Sequence, residues 1–218
     1  MMFNAIVFDF DGVLVESADI KTRAFASTFG ERPGHVAAIT RLHLENVGLT
    51  RYQKFEMIHR DILCEPLSEA EMVRLGERFS RAVYAEVVRC PAVAGAEQFL
   101  RTYSGRIACF IASATPHEEL QAIVTARSLS PYFAAVCGAP PDKAELIERL
   151  IQKHQLRRDS VLFVGDALAD LEAARNTGIG FVGRVPADGV NPFDGQPVLG
   201  VVNDLTALET FLRDDEIR

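Results

Sequence analysis

The chain has 218 residues, a hydrophobic content of 48% and a formal net charge of −7 at pH 7. This length exceeds one minimal domain and falls short of two full ones, so a core domain with a modest insertion is expected. The acidic balance argues against nucleic acid or an acidic membrane as the main partner, although a local cation can still draw an anionic substrate into a pocket.

The cysteines and the apolar runs indicate the cellular compartment in which the protein is expected. Four widely spaced cysteines without a Cys-x-x-Cys pair favour reduced thiols over a disulfide framework or a zinc site. No apolar run approaches the roughly 18–20 residues that span a bilayer. The first residues lead directly into an apolar strand, so no signal peptide is expected. We therefore expect a cytoplasmic protein without a membrane partner, and the sequence leaves its oligomeric state open.

The first predicted strand, Ala5–Phe10, is an apolar run that is interrupted and followed by carboxylates, Asp9 and Asp11, before Gly12 lets the backbone turn. Side chains two positions apart on a strand share a face, so both acids should point into one small volume. Two carboxylates this close raise each other's pKa unless a cation or a proton compensates. A metal site or an acid/base pair needs this arrangement, and two solvated acids at a strand end are the plain alternative.

Between residues 17 and 89 the sequence pattern changes, and no convincing strand occurs. Apolar residues recur there at spacings of three to five, which predicts helices. The residues with this spacing include Phe25, Phe29, Phe55, Ile58, Ile62, Met72, Leu75, Phe79, Val83 and Val87. We predict an all-helical domain, residues 17–89, inserted into an α/β core formed by residues 1–16 and 90–218. Ligands of open α/β sheets bind beyond the carboxyl ends of the strands, so the insertion would lie over the site as a lid.

From residue 91 onward, short β-branched and aromatic runs alternate with helical patterns. This alternation predicts a doubly wound, Rossmann-like parallel sheet with crossover helices. The predicted strands are Ile107–Ala112, Phe133–Cys137, Val161–Gly165, Ile179–Gly183 and Val198–Val202. The predicted helices are Val93–Tyr103, His117–Ser128, Ala144–His154, Leu168–Asn176 and Thr206–Leu212.

Two of the later strand ends carry groups suited to an anion. Ser113 lies between a strand and a helix start that Thr115, Pro116 and Glu118 mark as a capping box, where free backbone N–H groups favour phosphate. Lys143 lies in the first turn of a predicted helix, against the helix macrodipole, and a bound anion would remove that conflict. An ordinary loop serine and an exposed lysine are the plain alternatives.

A further strand end adds two more acids. Asp166 follows the apolar run Val161–Gly165, and Asp170 follows four residues later at the start of a helix. Helix capping explains one acid near this terminus. It explains less well why acids terminate two separate strands of one sheet. Together the strand ends predict several carboxylates, a hydroxyl and a lysine at the same edge.

This combination resembles the haloacid dehalogenase-like hydrolase superfamily over essentially the whole chain. Residues 9–13, Ser113, Lys143 and residues 165–170 are similar to its four motifs and occur in the same order. A helical cap between the first two motifs is the layout of the subgroup that contains phosphoglycolate phosphatases and β-phosphoglucomutases. The resemblance implies a Mg²⁺-dependent phosphatase of a small phosphorylated metabolite.

The resemblance also implies a role for each residue of the core. Asp9 would attack phosphorus and form an aspartyl-phosphate, and Asp11 would donate and then accept a proton. Mg²⁺ would be held by Asp9, Asp166 and the backbone carbonyl of Asp11, with Asp170 contributing directly or through water. Ser113 and Lys143 would act on the transferring phosphate.

The remaining substrate-binding candidates lie around these motifs. In the core they are Gly12 and the backbone N–H of Ala114, and in the helical insertion they are Arg51 and Lys54. Amphipathic helices always carry charged residues on their wet side, so a solvated face is the plain alternative for Arg51 and Lys54. The sequence does not choose between a sugar phosphate, phosphoglycolate and a nucleotide.

Two other functions stay open at this point. Haloacid dehalogenases lack an acid at the position of Asp11, so its presence favours phosphate chemistry. In β-phosphoglucomutases a histidine that moves protons follows the second aspartate by ten positions, and Lys21 stands there in this chain. A phosphosugar mutase is therefore the less favoured alternative. A non-catalytic phosphate-binding or phospho-accepting protein, similar to bacterial response-regulator receivers, is the other.

Overall fold

The core of the molecule is a six-stranded sheet in which every neighbouring pair of strands is parallel. The computed structural model describes residues 3–212. In chain order the strands are β1 (Ala5–Phe8), β2 (Ala108–Pro116), β3 (Ala135–Ala139), β4 (Val161–Gly165), β5 (Gly180–Arg184) and β6 (Gly200–Val202). Their order across the sheet is β3-β2-β1-β4-β5-β6, which confirms the predicted Rossmann-like α/β core.

Helices cover both faces of this sheet. They are α5 (Ala96–Tyr103), α6 (His117–Ala126), α7 (Lys143–Lys153) and α8 (Leu168–Thr177). In β1, Ile6 and Phe8 join a hydrophobic cluster with α5 and α6, whereas Ala5 and Val7 join a second cluster with α7 and α8. A strand that is buried on both faces is apolar at every position, and this explains the unbroken run at the start of the chain.

Residues 18–89 contain helices and no strand. The helices are α1 (Ala18–Thr28), α2 (Val36–Glu45), α3 (Arg51–Met57) and α4 (Glu69–Arg89), and a π-helical stretch, Ile58–Leu63, continues α3. We call residues 17–89 the cap. Phe25, Phe55 and Phe79 lie at its centre with ring centroids 4.7–6.2 Å apart. The division of the chain into two domains stays a prediction, because one hydrophobic cluster runs from Phe8 in the core to Phe79 in the cap.

Several element boundaries differ from the predicted ones. The helix expected from Val93 begins at Ala96, because Gly95 has a positive φ of 78° and lies against the backbone of residues 205–206. The last predicted helix is a 3₁₀ helix, Leu205–Phe211. Strand β2 continues four residues beyond Ala112 and shifts register between Ser113 and Pro116. In residues 3–212 no helix combines the length and apolar character needed to cross a bilayer.

Candidate active site

The strand register brings the predicted motifs to one edge of the sheet. Phe8 pairs with Ile111 of β2 and with Val164 of β4, so residues 9, 112 and 165 lie at the same level of the sheet. Asp9 follows β1 directly, and its backbone N–H donates to the Val164 carbonyl oxygen at 2.9 Å. Residues 113 and 166 therefore emerge beside Asp9, as parallel strands require.

Asp9 is buried, with 4% of its surface exposed, and its two oxygens have different partners. The backbone N–H of Phe10 donates to Oδ1 at 2.7 Å, and the Lys143 ammonium donates to Oδ2 at 2.7 Å. Burial raises the pKa of Asp9 to about 6, with Lys143 opposing this rise and the neighbouring acids adding to it. A cation close to Asp9 therefore favours the ionised form that a nucleophile requires.

Lys143 lies in the first turn of α7 and is buried against two acids. Its ammonium donates to Asp9 and also to Oδ1 of Asp170. Burial alone would lower the pKa of Lys143, but the carboxylates of Asp170 and Asp9 outweigh burial and raise it. The lysine that the sequence places against the helix macrodipole is thus held as a cation by the acids it faces.

Asp9, Asp166 and Asp170 form a cluster suited to a metal ion. One carboxylate oxygen from each lies within 4.8 Å of the others. Asp170 is fixed by the backbone N–H groups of Asp166 and Ala167, which both donate to Oδ2 at 3.1 Å. Burial, followed by the charges of Asp9 and Asp170, raises the pKa of Asp166 well above its usual value. Three crowded carboxylates fit a hard divalent cation such as Mg²⁺.

Gly12 is needed for this geometry. It has a positive φ of 75°, and a Cβ there would collide with the Asp166 carboxylate. Only glycine therefore allows the loop after β1 to pass the metal cluster so closely. Gly12 and Asp166 both line a groove of about 910 Å³. The predicted contact of Gly12 with substrate stays a prediction.

The Asp11 carboxylate is not part of this cluster and has three donors of its own. Ser17 donates to Oδ1 at 2.6 Å, Thr115 donates to Oδ2 at 2.9 Å, and the Lys21 ammonium donates to the same Oδ2. Burial would raise the pKa of Asp11, but Lys21 and the two hydroxyls outweigh it and hold this pKa below its usual value. Lys21 belongs to α1 of the cap, so this ion pair joins the cap to the core.

None of these three donors was assigned a role at the site from the sequence. The predicted capping box at Thr115 is wrong: α6 begins at His117 behind Pro116, without a side-chain cap. The Thr115 hydroxyl instead contacts Asp11 and Lys21, which lies 3.0 Å away. Thr115 lies two positions after Ser113 at the end of β2, and that spacing is the signal that the two side chains share a face.

A cavity of about 90 Å³ lies between the sheet edge and the cap. Its core wall contains Asp9, Asp11, Ser113, Ala114, Lys143 and Asp166. Its cap wall contains Ala18, Lys21, Thr22, His43, Leu44, Val47, Gly48, Leu49 and Lys54. The structure thus brings together around one cavity the predicted catalytic residues and the predicted cap residue Lys54, and their roles stay predictions.

Arg51, the other predicted cap residue, is outside the set that lines this cavity. Its guanidinium forms two hydrogen bonds with Glu119 of α6, at 2.6 and 2.9 Å, and a third with Ser80 of α4 at 2.7 Å. The guanidinium also lies 4.5 Å from the centre of the Phe79 ring. In this structure Arg51 therefore ties the cap to the core, and its predicted contact with substrate is still a prediction.

Lys54 and His43 form a buried pair in the cap. The Lys54 ammonium lies 3.1 Å from Nδ1 of His43 and 5.3 Å from the centre of the Phe25 ring. Burial, followed by the charges of Lys21 and Lys143, lowers the pKa of Lys54 to about 7, against a smaller opposing effect of Asp11 and Asp166. Burial and then Lys54 lower the pKa of His43 to about 3, so its imidazole is neutral.

The comparison with protein families decides the assignment of the chain. The model of the haloacid dehalogenase-like hydrolases matches residues 6–184. The chain belongs to this family. It is 25% identical over 182 residues to a phosphoglycolate phosphatase of Synechococcus elongatus, covering 81% of each chain. It is 26% identical over 217 residues to one of Rhodobacter capsulatus, covering 95% of each chain.

Solved structures of the same family share the fold. A protein described as a predicted phosphoglycolate phosphatase, from Haemophilus somnus, has a TM-score of 0.76 at 19% identity and covers 98% of this chain and 99% of its own. The HAD-hydrolase YfnB of Bacillus subtilis, bound to magnesium, has a TM-score of 0.73 at 15% identity, with coverage of 98% and 100%. Membership of this family confirms the prediction that the chain is a hydrolase.

Proposed function

We propose that the protein is a Mg²⁺-dependent phosphatase that hydrolyses a small phosphorylated metabolite through an aspartyl-phosphate on Asp9. One observation carries the proposal: Asp9 lines the cavity between the core and the cap, accepts a hydrogen bond from Lys143 and clusters with two further acids. A nucleophilic carboxylate, a fixed cation and a metal site meet there at one point. The relatives named phosphoglycolate phosphatases act on a substrate of the same kind.

The first step is attack by the Asp9 carboxylate on phosphorus. Lys143 holds Asp9 in place and offsets the negative charge that the incoming phosphate brings beside it. Ser113 and the backbone N–H of Ala114 line the same cavity and are donors for phosphate oxygens. Bound Mg²⁺ would be held by Asp9, Asp166 and Asp170 and would supply further positive charge. Phosphoryl transfer depends mainly on such positioning and electrostatics.

Asp11 serves both halves of the reaction. Its carboxyl group donates a proton to the leaving oxygen in the first half, and a bound phosphate dianion promotes this because nearby negative charge raises a carboxyl pKa. In the second half it accepts a proton from the water that cleaves the aspartyl-phosphate. The contacts with Ser17, Thr115 and Lys21 favour the ionised form needed for that half.

Release of inorganic phosphate from a panel of sugar phosphates, phosphoglycolate and nucleotides tests the proposal. We expect turnover with Mg²⁺, none after chelation, and a loss of at least about 10³-fold in Asp9→Asn, which removes the nucleophile. Asp159→Asn makes the same change on an exposed residue and should keep full activity. Activity that is independent of Mg²⁺, or that survives Asp9→Asn, would contradict the mechanism. Isomerisation of a sugar phosphate without phosphate release would favour the mutase.

A further inference from the structure

The chain has four lysines, and three of them, Lys21, Lys54 and Lys143, line the same cavity. Two of the three have carboxylate partners. Lys21 pairs with Asp11, and Lys143 pairs with Asp9 and Asp170. Lys54 has no carboxylate partner among residues 3–212, and its polar contact is the neutral imidazole of His43. Lys54 is therefore a cation on the cap wall whose charge no carboxylate of residues 3–212 pairs with.

The surroundings of Lys54 make a charged ammonium group energetically unfavourable at this position. The residue is 4% exposed, and its side chain lies over Phe25, whose ring stacks on His43 at a centroid distance of 4.5 Å. Burying an unpaired charge is strongly unfavourable, and a group so placed tends to lose its charge instead. The direction of the Lys54 pKa agrees with this cost. An anion in the cavity would remove the cost.

The transferring phosphate is not the anion best placed for Lys54. Asp9 attacks from the sheet edge, and attacking and leaving oxygens lie roughly in line across phosphorus, so the leaving group extends toward the cap. Lys143 and Ser113 of the core already line the phosphate end of the cavity. Lys54 and His43, on α3 and α2, face it from the cap side. The charge that would meet Lys54 therefore belongs to the leaving group.

The size of the cavity limits how far away that charge can be. Its volume of about 90 Å³ is well below the roughly 300–1,000 Å³ of sites for drug-sized ligands. Of its other cap side chains, Lys21 is paired with Asp11, and Leu44, Val47 and Leu49 carry no charge. Arg51 is committed to Glu119. An acid on the leaving group that meets Lys54 inside this cavity lies within a few atoms of the ester oxygen.

We propose that Lys54, supported by His43, binds a carboxylate on the leaving group, so that the substrate is a short phosphorylated carboxylic acid. This inference rests on the proposed phosphatase function and specifies its substrate class. A charged Lys54 can only donate, so Nδ1 of His43 accepts and the imidazole proton lies on Nε2. His43 therefore orients the ammonium without competing for the anion.

The test compares two substrates that differ only in the acid. They are 2-phosphoglycolate and 2-hydroxyethyl phosphate, in which a neutral CH₂OH group replaces the carboxylate. We expect the wild-type enzyme to prefer phosphoglycolate, and Lys54→Met to lower the ratio of the two kcat/KM values by about tenfold or more. Lys54→Arg should keep part of the preference. Lys153→Met removes an exposed lysine and should leave the ratio unchanged.

The outcomes separate the inference from the function on which it rests. An equal loss on both substrates in Lys54→Met would show that Lys54 serves the phosphate, and the inference would be overturned while the phosphatase function stood. An unchanged ratio in Lys54→Met and in the second neutral variant, Lys54→Gln, would overturn it as well. Turnover of sugar phosphates or nucleotides that depends on Asp9, without turnover of phosphoglycolate, would overturn the inference alone. If no substrate of the whole panel gave turnover that depends on Asp9, the proposed function itself would fail.

Discussion

Lys54 in the cap and Lys143 in the core are buried to nearly the same degree, with 4% and 7% of their surfaces exposed, and they line one cavity. Their electrostatic situations are opposite. Two carboxylates raise the pKa of Lys143, whereas burial and neighbouring cations lower that of Lys54 to about 7. At the core edge the ammonium group of Lys143 is paired with carboxylates of the protein. In the cap the ammonium group of Lys54 has no such partner and is available to a ligand. The neighbours of a buried lysine, more than its burial, decide its ionisation.

The largest expected effect comes from removing the compensated lysine. Lys143→Met would leave Asp9, Asp166 and Asp170 facing each other without their cation. We expect a loss of activity of at least about 10²-fold and a fall in unfolding free energy of about 3–5 kcal/mol, the usual cost of breaking a buried ion pair. Urea unfolding at pH 7 in a chelator measures the second value. Wild-type stability in this variant would contradict the description of the core as self-compensated.

Arg51 sharpens the comparison because it is a cap cation that does have a partner. Its side chain is 4% exposed and pairs with Glu119, which is 11% exposed. Arg51→Met should cost about 3 kcal/mol, because it leaves a nearly buried carboxylate alone. The matched control is Arg23→Met, at an exposed pair with Glu86, which should cost about 0–1 kcal/mol. Equal losses of unfolding free energy in the two variants would show that burial of the Arg51–Glu119 pair between the cap and the core adds nothing to stability.

Adding a divalent metal ion tests the carboxylate cluster of the core without involving the lysine of the cap. A ligand that binds only the folded state adds about 2.7 kcal/mol at a concentration 100 times its Kd. Mg²⁺ should therefore raise the thermal midpoint of the wild-type protein, and Asp166→Asn should lose most of this rise because it removes one of three clustered carboxylates. Differential scanning calorimetry with and without Mg²⁺ measures both. A midpoint that does not respond to Mg²⁺ in the wild type would contradict the metal site.

The core and the cap also differ in how far the sequence predicts them. Asp9, Lys143 and Asp166 follow strands or open helices, and parallel strands in register must bring their carboxyl ends to one edge. Local pattern and sheet geometry were enough to predict that these side chains meet.

Contacts between cap and core depend on packing that no local pattern encodes. Lys21 and Thr115 are 94 positions apart, yet they meet at Asp11. The helix-start pattern at Thr115 is overridden because its hydroxyl donates to the Asp11 carboxylate, which lies far away in the sequence but also belongs to the core. Arg51 and Lys54 lie three positions apart on α3, and only the folded structure shows that one binds Glu119 while the other reaches the cavity.

The smallest expected effect is an increase in the free energy of unfolding, whereas the substitutions above lower it. Lys54→Met should raise the unfolding free energy at pH 6–7 by about 1–2 kcal/mol, because it replaces an unpaired buried cation by an apolar side chain of similar length. The same variant is expected to lose substrate selectivity. Lys54 would then be a residue that lowers stability in the free protein and serves binding.

The pH dependence of that difference follows from linkage. The folded pKa of Lys54 is lowered to about 7 from 10.5, so between these values the unfolded chain binds more protons and wild-type stability rises with pH. The advantage of Lys54→Met should therefore be complete below pH 7 and shrink as the pH rises toward 10. Urea unfolding of both proteins at pH 6 and pH 9 measures it, with Lys153→Met as the exposed control. A wild type that is the more stable protein at pH 6 would show that Lys54 already has a compensating partner, and the contrast with Lys143 would fail.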